Sequence, residues 1–136
     1  MLTHHQLEPK DANFRDYNYI DIRLAVKEVP YDIDKSKEEQ VFFCLGHRDF
    51  EDDTIFLKKI IPVENIHKDK ANHFEVDNSI YEKYKDLLVG VIHTHPNHPL
   101  VPSLDDITFL PKELIGGIYE PITDHIIWWN AYRFIL

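Results

Sequence analysis

Ile20, Ile22, Leu24 and Val26 alternate with Tyr19, Asp21 and Arg23, a period of two that predicts a strand with one buried face. Pro30 and the Asp-, Lys- and Ser-rich stretch to Lys37 interrupt regular structure. A second, more uniformly apolar strand is expected over 40–45, a polar turn over 46–53 and a third strand over Thr54–Val63. Ile80, Tyr84, Leu87 and Leu88 recur at helical spacing, which predicts a short helix capped by Asn78 or Ser79 and running through Leu88. Leu88–Thr94 reads as an apolar central strand, with Gly90 marking a place where another backbone approaches closely. A helix over 103–110, stopped by Pro111, and two strands over 115–119 and His125–Asn130 close the chain. Strands mixed with two helices predict an α/β fold, a mixed β-sheet packed with helices.

At 136 residues the chain is read as one domain over 1–136, able to bury a core without staples. Fifteen basic against 24 acidic residues give a formal charge of −9, the wrong sign for a phosphate backbone, so nucleic acid is not expected as a partner. Trp128, Trp129 and Tyr132 are accordingly read as core or interface packing and not as a stacking platform for bases. The first ten residues match no export signal, nothing approaches membrane-spanning length, and the single cysteine, Cys44, has no internal partner. A cytoplasmic location, no membrane partner and a buried, inert Cys44 thiol are the expectations; the oligomeric state is left open.

Chemistry concentrates in His93-Thr94-His95-Pro96-Asn97-His98 and the residues to Asp106. On a strand His93 and His95 point to the same side and can grip one ion, while Thr94 faces away. A hydrolytic zinc takes three protein ligands and keeps a fourth position open, so a third ligand must lie further along. Asp106 is the best candidate: Ser103-Leu104-Asp105-Asp106 reads as a helix start with Ser103 as N-cap, which can turn Asp106 back towards the strand end. Asp105 competes with it, and composition does not separate the two. Two imidazoles, a carboxylate and an open site favour Zn2+, although other borderline divalent ions have related preferences. His4, His5, His47, His67, His73 and His125 lack partner spacing and are read as surface or loop residues.

His93-Thr94-His95, seven residues, Ser103, two residues and Asp106 resemble the signature of the JAMM metallopeptidases, also called MPN-plus or JAB. That resemblance selects Asp106 over Asp105. The family also carries a glutamate upstream, in a Glu-x-x-Gly-x-x-x-Gly strand; counting back from Gly46 gives Glu39, with Glu38 as rival and a phenylalanine in place of the first glycine. Val63-Glu64-Asn65 and His73-Phe74-Glu75-Val76-Asp77 look like the segment that precedes the family's central helix. The likeness covers 38–129 and leaves out the N-terminal stretch, where the family commonly places a long helix.

The resemblance implies a JAB/MPN, cytidine-deaminase-like architecture and a zinc site of His93, His95 and Asp106. It gives Glu39 the part of general base and then acid, and Ser103 that of a donor to the developing oxyanion. It further implies peptide or isopeptide hydrolysis at the C-terminal glycine of a ubiquitin-like protein, with the substrate tail extended beside a sheet edge. Other members resemble enzymes that trim sulfur-carrier proteins or act in phage tail assembly, and many MPN domains are metal-free scaffolds that bind such partners without catalysis. His98 completes a run similar to that of metallo-β-lactamase-like hydrolases, but only 38 residues follow it, too few for those folds. It is read as a loop residue near the cleft.

Overall fold

The strand-forming segments assemble into one eight-stranded mixed sheet of order β1-β2-β4-β3-β5-β6-β7-β8. Its strands are β1 (Thr3–Leu7), β2 (Ile20–Leu24), β3 (Val41–Asp49), β4 (Thr54–Val63), β5 (Leu88–Thr94), β6 (Ile115–Glu120), β7 (His125–Asn130) and β8 (Arg133–Phe134). Helix α1 (Asn78–Tyr84) precedes β5 and helix α2 (Leu104–Phe109) follows it. The computed structural model describes residues 3–7, 20–24, 28–52, 54–111, 113–130 and 133–134. Tyr19, Val26, Tyr132 and the side chains of His4 and His5 lie outside what is described.

Alternation along β3 sets the two layers. Phe42 and Cys44 face a core with Ile22, Leu24, Ile55, Leu57, Ile92 and Ile115. Phe43 and Leu45 face a second cluster with Leu88 and Leu114, against which Ile80 and Tyr84 of α1 pack. Each fully buried aliphatic or aromatic side chain of this kind contributes about 1.5–3 kcal/mol relative to exposure. Cys44 is fully buried and burial pushes its thiol well above the usual range, as expected of a core thiol.

Two register shifts shape the centre of the sheet. Against β3, β5 carries one extra residue: Cys44 pairs with Gly90 but Leu45 with Leu88. This bulge brings Leu88 onto the same face as Val91, the face that continues into His93. Against β4, Leu45 pairs with Lys59 and Gly46 with Leu57, so Lys58 is the unpaired residue. A Cβ on Gly46 would collide with the Phe56 carbonyl oxygen there, which is why the strand needs glycine at that point. Gly90 meets the Ile115 backbone in the same way, as the pattern suggested.

The structure departs from the sequence pattern in four places. The first half of the polar stretch over 46–53 is strand, because His47, Arg48 and Asp49 pair with Phe56, Ile55 and Thr54, and the turn is confined to 50–52 among the described residues. Helix α1 is capped by Asp77, whose carboxylate accepts from the Ser79 N–H at 2.8 Å, and not by Asn78 or Ser79. It ends at Tyr84: the Leu87 carbonyl accepts from the Gly46 N–H at 2.8 Å, and Leu88 opens β5, so this apolar pair is drawn into the sheet. β1 and β8 were not anticipated, since neither Thr3–Leu7 nor Arg133–Phe134 shows an alternating apolar pattern; backbone pairing at the sheet's edges forms them. Among the described residues no helix is long and apolar enough to cross a membrane.

Gly46→Ala is expected to cost ~2–3 kcal/mol or prevent folding, because backbone and not a movable side chain occupies the space. Urea unfolding measures it, and a loss under about 0.5 kcal/mol would mean that β3 and β4 approach less closely than described.

Candidate metal centre

The site begins with a register. β3 and β5 run antiparallel with Val41 opposite His93. One step outward, the Thr94 N–H donates to the Gln40 carbonyl (3.0 Å) and the Gln40 N–H to the Thr94 hydroxyl (2.8 Å). A further step sets Glu39 across from His95. Alternation then puts Glu39, Val41, His93 and His95 on one face and turns Thr94 to the other. Glu39 is 3% exposed, while Glu38 is only half-buried, so the structure chooses between the two.

On that face Glu39, His93 and His95 bring ligand atoms within 4.8 Å of one another. The two imidazole Nε2 atoms are 2.8 Å apart. Asp106 closes on them from α2, with Oδ1 3.4 Å from His93 Nε2 and Oδ2 3.2 Å from His95 Nε2. Its direction is set by a reciprocal cap. Ser103 Oγ accepts from the Asp106 N–H at 3.1 Å, and the Asp106 carboxylate accepts from the Ser103 N–H at 2.8 Å. Asp105, one residue earlier on the helix, is exposed at the cleft lining.

These donors suit a tetrahedral cation. Ligand bonds of about 2.0–2.2 Å imply ligand–ligand edges of ~3.3 Å; the two Asp106 oxygens lie near that distance from one imidazole each, at 3.4 and 3.2 Å, and the imidazole nitrogens are closer together, at 2.8 Å. His95 Nδ1 lies 2.8 Å from the Pro99 carbonyl, which can only accept, so Nδ1 carries a proton, and loss of the second proton leaves the ring's lone pair on Nε2, facing inward. His93 is fixed by packing, its ring 4.6 Å from that of Phe74 and edge-on to Trp129 at 6.0 Å.

A model of the family described as prokaryotic homologs of the JAB domain matches residues 31–132, three quarters of the chain. The chain belongs to that family. The solution structure of protein DSY2949 from Desulfitobacterium hafniense shares the fold, with a TM-score of 0.54, 23% identity, and coverage of 73% of this chain and 75% of that one. A search of curated proteins finds no match.

Burial and neighbouring charge separate the ionisable groups of this JAB domain. Burial pushes the Glu39 carboxyl up to about 7, against the opposing pull of His95 and His98. Burial also lowers His93, which favours its neutral form. Burial would lower His95, but hydrogen bonds to Asp106 and the Pro99 carbonyl outweigh it and raise the ring. Asp106 shows the reverse balance: burial would raise it, yet the two imidazoles and the Ser103 N–H hold it well below the usual carboxylate range.

The group opens into a cleft of about 680 Å³. One wall comes from the loop over 64–77, which contributes His67, Asn72, His73 and Phe74. Sequence spacing gave no reason to bring His67 and His73 to the site; their rings lie 4.9 Å apart on that wall. The only advance signal was the likeness of the surrounding segment to the family's connecting segment. His98 lies at the mouth, 41% exposed, with Nε2 3.0 Å from the Asn72 carbonyl and 3.8 Å from Glu39 Oε2. Because a carbonyl only accepts, that nitrogen carries a proton and presents no lone pair to an ion.

Ionising Glu39 opposes folding as pH rises from 4.5, its ordinary value, to about 7, because the folded state holds the proton more tightly than the unfolded chain. In chelator-treated protein, Glu39→Gln is therefore expected to raise Tm relative to wild type more at pH 8 than at pH 5. Equal shifts at both pH values in thermal melts would contradict the raised carboxyl.

Proposed function

We propose that this JAB domain is a zinc metallopeptidase hydrolysing a peptide or isopeptide bond, with the C-terminal glycine of a ubiquitin-like protein on the acyl side. The observation that carries this reading is the convergence of His93, His95 and Asp106 on one point with a buried, high-pKa Glu39 beside them. Glu39, beyond the three residues that would hold zinc, is the group that favours catalysis over a scaffold. His93, His95 and Asp106 are the residues that would hold zinc.

Zinc bound there would supply a Lewis acid that polarises the scissile carbonyl and makes water acidic enough to ionise near pH ~7. Glu39 takes the proton as water oxygen bonds to the carbonyl carbon. It then returns that proton to the nitrogen as the carbon–nitrogen bond breaks, leaving a carboxylate and a free amine. Burial pushes this carboxyl up, and a cation beside it would pull it back down, so the dry pocket keeps it basic enough to take a proton from water. Ser103 Oγ accepts from Asp106 and so keeps its own O–H free to donate to the oxygen on which charge develops. No covalent enzyme intermediate is required.

The acyl-side tail lies along the cleft, between the wall carrying Phe74 and the loop over 99–106. β5 is paired on both sides, with β3 and β6, which favours a tail that crosses the site over one that adds a strand beside β5. The reading places the protein in the cytoplasm, where a chain with one buried cysteine meets no need for disulfides.

The test incubates the purified protein with candidate ubiquitin-like fusions and maps the cut by intact mass, with a chelator control and metal analysis alongside. Glu39→Gln is expected to abolish cleavage while keeping one equivalent of zinc; His95→Ala and Asp106→Ala are expected to lose both. Full activity in Glu39→Gln would refute the proton-transfer role. Zinc uptake with no cleavage of any fusion would favour a binding scaffold. Ser103→Ala should slow turnover by about 10²–10³-fold, against a stability loss of only about 1 kcal/mol from the missing cap, read by comparing kcat with Tm.

A further inference from the structure

Asn65 lies on the loop after β4 and is 8% exposed, yet its side-chain amide is fully used. Nδ2 donates to the Glu39 carbonyl and to the His73 carbonyl, both at 2.9 Å. Oδ1 accepts from the His67 N–H at 3.0 Å and the Glu75 N–H at 3.1 Å. Only this orientation works, since the reverse would set Oδ1 against two carbonyl oxygens. The loop closes further through the Ile66 N–H to the Glu75 carbonyl (2.9 Å), and Glu39 is gripped from its other side by its own N–H donating to the Lys70 carbonyl (2.7 Å).

We infer that Asn65 is a positioning residue for Glu39. One amide fixes the backbone of the proposed base and, through His73 and Glu75, the cleft wall that carries Phe74 against His93. Glu39 precedes β3 and has no ladder partner of its own beyond Gln40. Asn65 and Lys70 supply what the ladder does not, holding its carboxylate on the cation-facing side. This rests on the hydrolytic reading for its consequence in turnover, but the clamp itself does not.

Asn65→Asp separates the two halves of the clamp, because a carboxylate still accepts from His67 and Glu75 but repels the Glu39 and His73 carbonyls. Amide hydrogen exchange, read by mass spectrometry on the zinc-loaded full chain, is expected to rise at least tenfold at Glu39 and around residues 66–75, with the β6–β7 core unchanged. Zinc stoichiometry should stay at one, since the amide touches none of the three proposed ligands. On a fusion that wild type cleaves, kcat should fall at least tenfold, with any rise in KM smaller than that fall. Unchanged exchange at Glu39 overturns the inference, as does a proportional loss of kcat, KM and zinc affinity, which is what general destabilisation would produce. If Asn65→Asp does not fold, Asn65→Ser, which can donate to only one of the two carbonyls, decides the matter by the same exchange measurement. If wild type cleaves no fusion, the proposed function falls and the exchange result alone judges the clamp.

Discussion

The site depends on the antiparallel register between β3 and β5. Val41 opposite His93 forces Gln40 beside Thr94 and Glu39 across from His95, so an acidic side chain 54 positions away in sequence from His93 meets the imidazoles on the same face. A slip of one residue would send Glu39 to the opposite side with Thr94. Several features act to forbid that slip. The bulge at Leu88–Gly90 fixes the far end of the ladder, the close approach at Gly46 fixes β3 against β4, and the two hydrogen bonds between Gln40 and Thr94 fix the near end.

Within this frame, burial works in opposite directions on neighbouring groups. The same dry surroundings that raise the Glu39 carboxyl hold His93 neutral, while Asp106 keeps its charge because two imidazoles and a backbone N–H face it. One cluster therefore holds a neutral imidazole, a fixed negative charge and a carboxyl whose proton is held unusually tightly. No single residue type would give that division of labour; position relative to solvent and to the cap does.

What could be read in advance follows the range of the interactions involved. His93 and His95 were legible because two-residue spacing on a strand is a local rule, and Ser103 with Asp106 because a helix cap is another. The bounds of β4, β5 and β7 were legible for the same reason. Glu39 needed the family likeness, since pairing across strands leaves little trace in one sequence. The wall of His67, His73 and Phe74 showed only as a likeness to the family's connecting segment, with no spacing rule to aim it at the site: its shape comes from Asn65 and from backbone bonds made by Lys70, Ala71 and Asn72. The early end of α1 escaped notice because Leu87 and Leu88 satisfy a helical period and a strand equally well, and the sheet wins them through Gly46.

Helix α2 has only six residues, too few to persist in water without help from its ends and neighbours. Its help comes largely from Asp106, whose Oδ2 serves the Ser103 N–H and His95 at once. Order in that turn and attraction towards the imidazole pair are consequently a single equilibrium. Whatever frays the turn withdraws a carboxylate from the imidazole pair, and whatever neutralises that carboxylate loosens the turn.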